Sequence, residues 1–61
     1  MQVDKVKKLM SEKGYTYTRF ADEVGVSRMA IWYQLNKGAE PSLKTFKGIC
    51  RALGCKAEDI W

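Results

Sequence analysis

Histidine is missing from this chain of 61 residues. With it go the usual general base and the most frequent metal ligand. Two cysteines, Cys50 and Cys55, are the only thiols. A structural zinc site takes four Cys or His ligands, so one chain has too few to build it. There is no nucleophile–base pair and no glycine loop of the phosphate-cradling kind, so neither an enzyme nor a bound cofactor is expected. Long apolar runs are missing too. The opening stretch MQVDKVKKLM is too charged for a signal peptide or a membrane span. Cys50 falls on an apolar helix face and Cys55 follows Gly54. Buried free thiols and a cytoplasmic setting are therefore expected. Nothing in the pattern suggests a small-molecule pocket. Strand-like alternation, repeats, linkers and low-complexity segments are also absent.

Charge is present, and unevenly. Eleven basic residues face seven acidic ones, a net charge of +4. Between residues 28 and 51, Arg28, Lys37, Lys44, Lys47 and Arg51 are opposed by Glu40 alone. The remainder of the chain balances, six against six. All of the excess thus lies in one stretch. A localised basic patch is the electrostatic footprint of a phosphate-binding surface. A solvated basic face is the plainer alternative.

The apolar positions recur at helical spacing. Val6, Leu9 and Met10 mark a first amphipathic helix, stopped at Gly14. Thr16 is placed to cap a second, with Phe20, Ala21 and Val24 inward. Its third position is Arg19, where a capping box wants Glu or Gln, so the reciprocal bond is lacking. Gly25 ends this helix and Val26 turns inward. Ser27 caps a third helix, with Ile31 and Leu35 as its stripe and Asn36, Lys37 and Gly38 at its end. Pro41 excludes a helix interior and Ser42 caps a fourth helix. Leu43, Phe46, Ile49, Cys50 and Leu53 trace its apolar face, and Gly54 stops it. Gly48 sits mid-helix at a cost of about 1 kcal/mol relative to Ala; close approach of another backbone would account for it. The final AEDIW suits one turn that lays Ile60 and Trp61 over the core. Tyr15 suits a ring at the core's edge. The fold class is all-α: a compact bundle of four to five helices, one domain over residues 1–61.

Within it, residues 14–43 matter most. Two short helices flank a tight turn at Gly25, over about residues 16–36, which is the unit that sets a helix in the DNA major groove. At 100° per residue, with Ile31 and Leu35 inward, Tyr33 on the third helix (about 28–36) points outward. Met29 and Asn36 flank it, Ala30 and Trp32 lie at the borders, and Arg28 leads. Arg28 suits guanine O6 and N7, and Met29 suits a thymine methyl. Tyr33 offers a ring and a hydroxyl. The base-reading set is therefore Arg28, Met29, Trp32 and Tyr33. Ser27 at the helix N-terminus suits a phosphate, and Asn36, Lys37 and Lys44 lie where they would hold the backbone. Arg28 pairing with Asp22 or Glu23, and Trp32 packing against the first helix or the loop before the fourth, are the open alternatives.

The ordered set Gly14, Thr16, Phe20, Ala21, Val24, GVSR at 25–28, Ile31, Pro41-Ser42-Leu43, Ala52-Leu53-Gly54 and Ile60 resembles the Cro/CI-type (XRE) helix-turn-helix domain. The resemblance spans essentially the whole chain. It implies a lambda-repressor-like fold and a sequence-specific double-stranded DNA binder of bacterial or phage origin, associated with the nucleoid. It further implies a repressor that binds a palindromic operator as a dimer, although such domains also occur in antitoxins. By resemblance Tyr17 joins the phosphate set, standing where the family often has Gln. The glycine of NKGAEPS comes one place later than usual. Met10 and Leu35 stand where the family often carries an Arg–Glu ion pair. An apolar pair needs no desolvation of charge, and the two are expected to touch. Self-association is expected to be weak or DNA-dependent, at the C-terminal end with Ile60, Trp61 and Phe46. Met29, Trp32 and Tyr33 form an unusually apolar outward surface, which leaves a second reading open: a protein-binding module, antitoxin-like or adaptor, on the same scaffold.

Overall fold

The computed structural model describes residues 1–61 and contains only helices: α1 (Val3–Lys13), α2 (Tyr17–Val24), α3 (Arg28–Asn36), α4 (Leu43–Leu53) and a single turn, α5 (Ala57–Ile60). None is long and apolar enough to cross a membrane. The starts of α2, α3 and α4 follow from three hydroxyls. Thr16, Ser27 and Ser42 accept bonds from the backbone N–H of Arg19, Ala30 and Thr45 at 3.1–3.2 Å. Each satisfies a donor that a helix start leaves without a partner, worth about 1 kcal/mol. Arg19 adds no reciprocal bond at α2. At α5 the acid is present instead: Asp59 accepts from the N–H of Lys56 at 3.0 Å.

Gly25 carries the turn between α2 and α3. Its φ of 90° is left-handed, and its N–H closes α2 by donating to the carbonyl of Ala21. A side chain would be strained there, and glycine is not. Val26 follows, half-buried against the core, and Ser27 starts α3 at once.

One apolar cluster holds the helices together: Val6 and Met10 from α1, Phe20, Ala21 and Val24 from α2, Ile31 and Leu35 from α3, Phe46, Ile49 and Leu53 from α4, and Ile60. Met10 and Leu35 are both buried in it, so no charge is desolvated at that junction. Tyr15 packs its ring 5.4 Å from that of Phe20, while its hydroxyl donates to the carbonyl of Ala52 at 3.2 Å. The chain ends meet as well. The N–H of Gln2 donates to the carbonyl of Ile60 at 2.6 Å, which clasps α5 to the start of α1.

Leu43, Trp61, Cys50 and Cys55 differ from the sequence expectation, and Gln34, to which the sequence pattern assigns no place, is buried. Leu43 is 70% exposed, because as the first residue of α4 it turns away from the direction shared by Phe46, Ile49 and Leu53. Gln34 is 9% exposed, three residues from Ile31 on the same face, and its Oε1 has no hydrogen-bond partner. Trp61 stays 74% exposed, touching the core only through an edge contact with Phe46 at 5.4 Å. Cys50 and Cys55 are free but half-buried rather than buried, and desolvation with the neighbouring Cys55 pushes the Cys50 thiol up. Ile60 is fully buried and Phe46 nearly so; the exposed apolar groups at that end are Leu43 and Trp61.

Gly48 has a clear cause. A Cβ at this position would lie 2.9 Å from the Val24 carbonyl oxygen and 3.2 Å from one Val24 methyl. The backbone of α2 therefore rests directly on α4. Ala would gain about 1 kcal/mol in helix propensity, but overpacking costs about 1–3 kcal/mol, and the obstacle is backbone. Gly48→Ala is expected to lower the melting temperature by about 5–10 °C, a net loss of about 1 kcal/mol or a little more. Thermal denaturation followed by far-ultraviolet circular dichroism measures it.

Candidate nucleic-acid interface

The outward face of α3 and the first residue of α2 form one surface. Tyr17, Arg28, Met29, Trp32 and Tyr33 line an open hollow of about 330 Å³ there. Tyr17 is present because the Thr16 cap starts α2 immediately before it. Arg28 and Met29 open α3 behind the Ser27 cap, and Trp32 and Tyr33 follow one turn on. The four base-reading candidates and one phosphate candidate are thus brought together.

Arg28 is exposed and has no ion-pair partner, neither Asp22 nor Glu23; the one salt bridge joins the Met1 amine to Glu40 at 3.9 Å. Met29 is 52% and Tyr33 47% exposed, large apolar groups left facing solvent. Trp32 is half-buried. Its ring meets Tyr33 edge-on at 5.3 Å and 88°, and the ammonium of Lys37 sits 5.7 Å from its centroid. A cation over an exposed ring is worth about 0.5–1 kcal/mol and holds both groups in place. Tyr33 on α3 and Lys37 just past its end thus support the Trp32 ring from two sides.

Asn36 is a junction. Its Nδ2 donates to the Tyr17 hydroxyl at 3.3 Å and to the Trp32 carbonyl at 3.0 Å, and its Oδ1 accepts from Lys7 Nζ at 3.3 Å. One amide thereby ties α1, α2 and α3 together. The sequence reading missed Lys7, which lies 29 residues from Asn36 and has no local signal. Ser27 Oγ accepts from Ala30 N–H, which leaves its own proton free to donate outward. Lys44 stands apart on α4, where Lys44, Lys47 and Arg51 recur at helical spacing on the side opposite Ile49 and Leu53.

Two short helices joined at a left-handed glycine, with the second presenting an unpaired arginine at its leading end, define a helix-turn-helix domain. The pattern of the Cro/C1-type HTH DNA-binding domain matches residues 5–61, and the chain belongs to that family of DNA-binding, non-enzymatic domains. It is also similar to YonR of Bacillus subtilis (strain 168), described as an SPbeta prophage-derived uncharacterized HTH-type transcriptional regulator: 36% identical over 56 residues, 90% of this chain and 51% of the relative. The chain therefore spans about half the length of that protein. No solved structure matches it.

Asn36→Ala removes three weak, solvent-exposed hydrogen bonds at once. The loss of stability is expected to be about 0.5–1 kcal/mol, small because water replaces exposed partners. A urea denaturation midpoint shifted down with unchanged slope is the measurement.

Proposed function

We propose that this chain is a sequence-specific double-stranded DNA-binding transcriptional regulator, acting as a repressor, with α3 in the major groove of a palindromic operator. The observation that carries the reading is Arg28, exposed and unpaired at the leading end of α3 beside exposed Met29 and Tyr33. Residues at the start of a recognition helix reach base edges, and an arginine there bridges guanine O6 and N7. Tyr17, Ser27, Lys37 and Lys44 contact phosphates, and Asn36 acts through the Tyr17 hydroxyl it holds. The basic excess between residues 28 and 51 supplies the attraction that does not depend on sequence. The relative's description as a transcriptional regulator supports the regulatory role.

A single helix-turn-helix unit reads few base pairs, so two copies on half-sites about one helical turn apart are the working form. The association is weak or forms on DNA. Leu43 and Trp61 supply its apolar surface, around a shallow hollow of about 160 Å³ with Pro41 and Phe46. The exposed Met29 and Tyr33 favour one rival reading, a protein-binding module using this same face. Salt separates the two, because release of counterions makes DNA binding fall steeply with ionic strength and an aromatic protein interface does not behave so.

Selection of bound sites from random duplex DNA, followed by affinities across a salt series, tests the reading. The expected outcome is an enriched palindrome occupied by two protomers in sedimentation. Arg28→Ala is expected to cost about 1–3 kcal/mol and relax one base position, while Lys44→Ala weakens all sequences alike and reduces the salt slope by about 1. An unenriched pool, with weak binding indifferent to Arg28→Ala, would favour the protein-binding module.

A further inference from the structure

We propose that the hollow between α2 and α3 receives the C5-methyl group of a pyrimidine, thymine or its equivalent 5-methylcytosine, next to the guanine bridged by Arg28. The inference rests on the DNA-binding reading above and names what that face selects. Four of the five residues around the hollow are hydrophobic, and Arg28 is the fifth. Each base edge in the major groove is polar, with one exception: the C5-methyl of thymine. A polar edge set against Met29 and the aromatic rings would lose its water without gaining a partner. The methyl group loses nothing there.

The rest of the face narrows the choice further. Adenine is read by the paired donor and acceptor of Asn or Gln, and unmodified cytosine by a carboxylate. Of the two amides on α3, Gln34 is buried and Asn36 is engaged with Tyr17, Trp32 and Lys7. α3 has no acidic residue. Besides the Tyr33 hydroxyl, which is a single group able to meet a donor or an acceptor, what remains for base edges is one guanidinium and one apolar hollow, placed side by side by the adjacency of residues 28 and 29. A guanine and a methylated pyrimidine are the two groups that this pair of features fits. Lys37 over Trp32, and the edge-on Tyr33, hold the walls of the hollow before any ligand arrives.

The test uses the full chain and the duplex that it enriches from random DNA. Each thymine is replaced singly by deoxyuridine, which removes the methyl group and leaves base pairing intact. At one thymine per half-site, beside the guanine lost to Arg28→Ala, affinity is expected to fall about fourfold, the weight of burying one methyl group. Met29→Ala, an exposed substitution, is expected to abolish the difference between thymine and deoxyuridine while the salt dependence persists. In a parallel duplex with cytosine at that place, C5-methylation is expected to raise affinity by a similar factor; no gain would narrow the ligand to thymine while leaving the methyl contact supported by the deoxyuridine arm. An enriched, salt-dependent site that binds equally with deoxyuridine at every position would overturn this proposal and leave the DNA-binding reading standing. A discrimination that survives both Met29→Ala and Tyr33→Ala would also overturn it, by placing the methyl contact elsewhere. Failure to enrich any duplex would remove both.

Discussion

The contact on which this structure depends is the one where α2 rests on α4 with no side chain between them. The Val24 carbonyl oxygen lies 2.9 Å from where a Cβ at position 48 would stand, closer than a Cβ tolerates. Val24 is the last residue of α2, and Gly25 begins the turn into α3. The point of closest approach is therefore also the point that sets where the turn, and hence α3, leaves the body of the domain. A glycine that weakens α4 as an isolated helix is what allows the helix-turn-helix unit to dock on it. Packed cores are not continuously deformable, so the place of α3 follows from this approach as rigidly as from the burial of Ile31 and Leu35.

Around that junction the domain separates its polar and apolar duties. Ion pairing contributes little, since the one salt bridge is a 3.9 Å contact at an exposed glutamate. Short-range hydrogen bonds do more. Hydroxyl caps start three of the helices, and the Asn36 amide joins three of them across the surface. The basic residues are consequently left uncommitted on α3 and α4, free to meet phosphate. The same economy shapes the outward face of α3, where the one exposed charge has no internal partner and the remaining large groups are apolar. On the proposed DNA-binding reading, such a face has few ways to match a base edge, which limits what it selects.

Much of this was legible in the residues alone. Gly14, Gly25 and Gly54 as helix ends, the hydroxyl caps and the periodic apolar residues each act through neighbours within one turn, so their effect can be read locally. The boundaries of α2, α3 and α4, the buried positions Phe20, Ala21, Val24, Ile31 and Leu35, and the outward place of Tyr33 all came from that spacing. Leu43 and Trp61 were harder. Both are apolar residues at the very end of a helix, where periodicity has no further turn to fix direction, and both face solvent. Gln34 shows the opposite case, a polar residue drawn inside because its angular position outweighs its chemistry.

The helices, the turn at Gly25, the residues that make the core and the family to which the chain belongs follow from the order of residues, because they depend on local backbone preference and on burial repeated every turn. Only the packed structure shows why position 48 must be glycine, that Asn36 bonds across the surface to Tyr17 and Lys7, and that Tyr17, Met29, Trp32 and Tyr33 line an open hollow beside Arg28. Those features join residues up to 29 positions apart, and the distances between such residues exist only once the helices are packed.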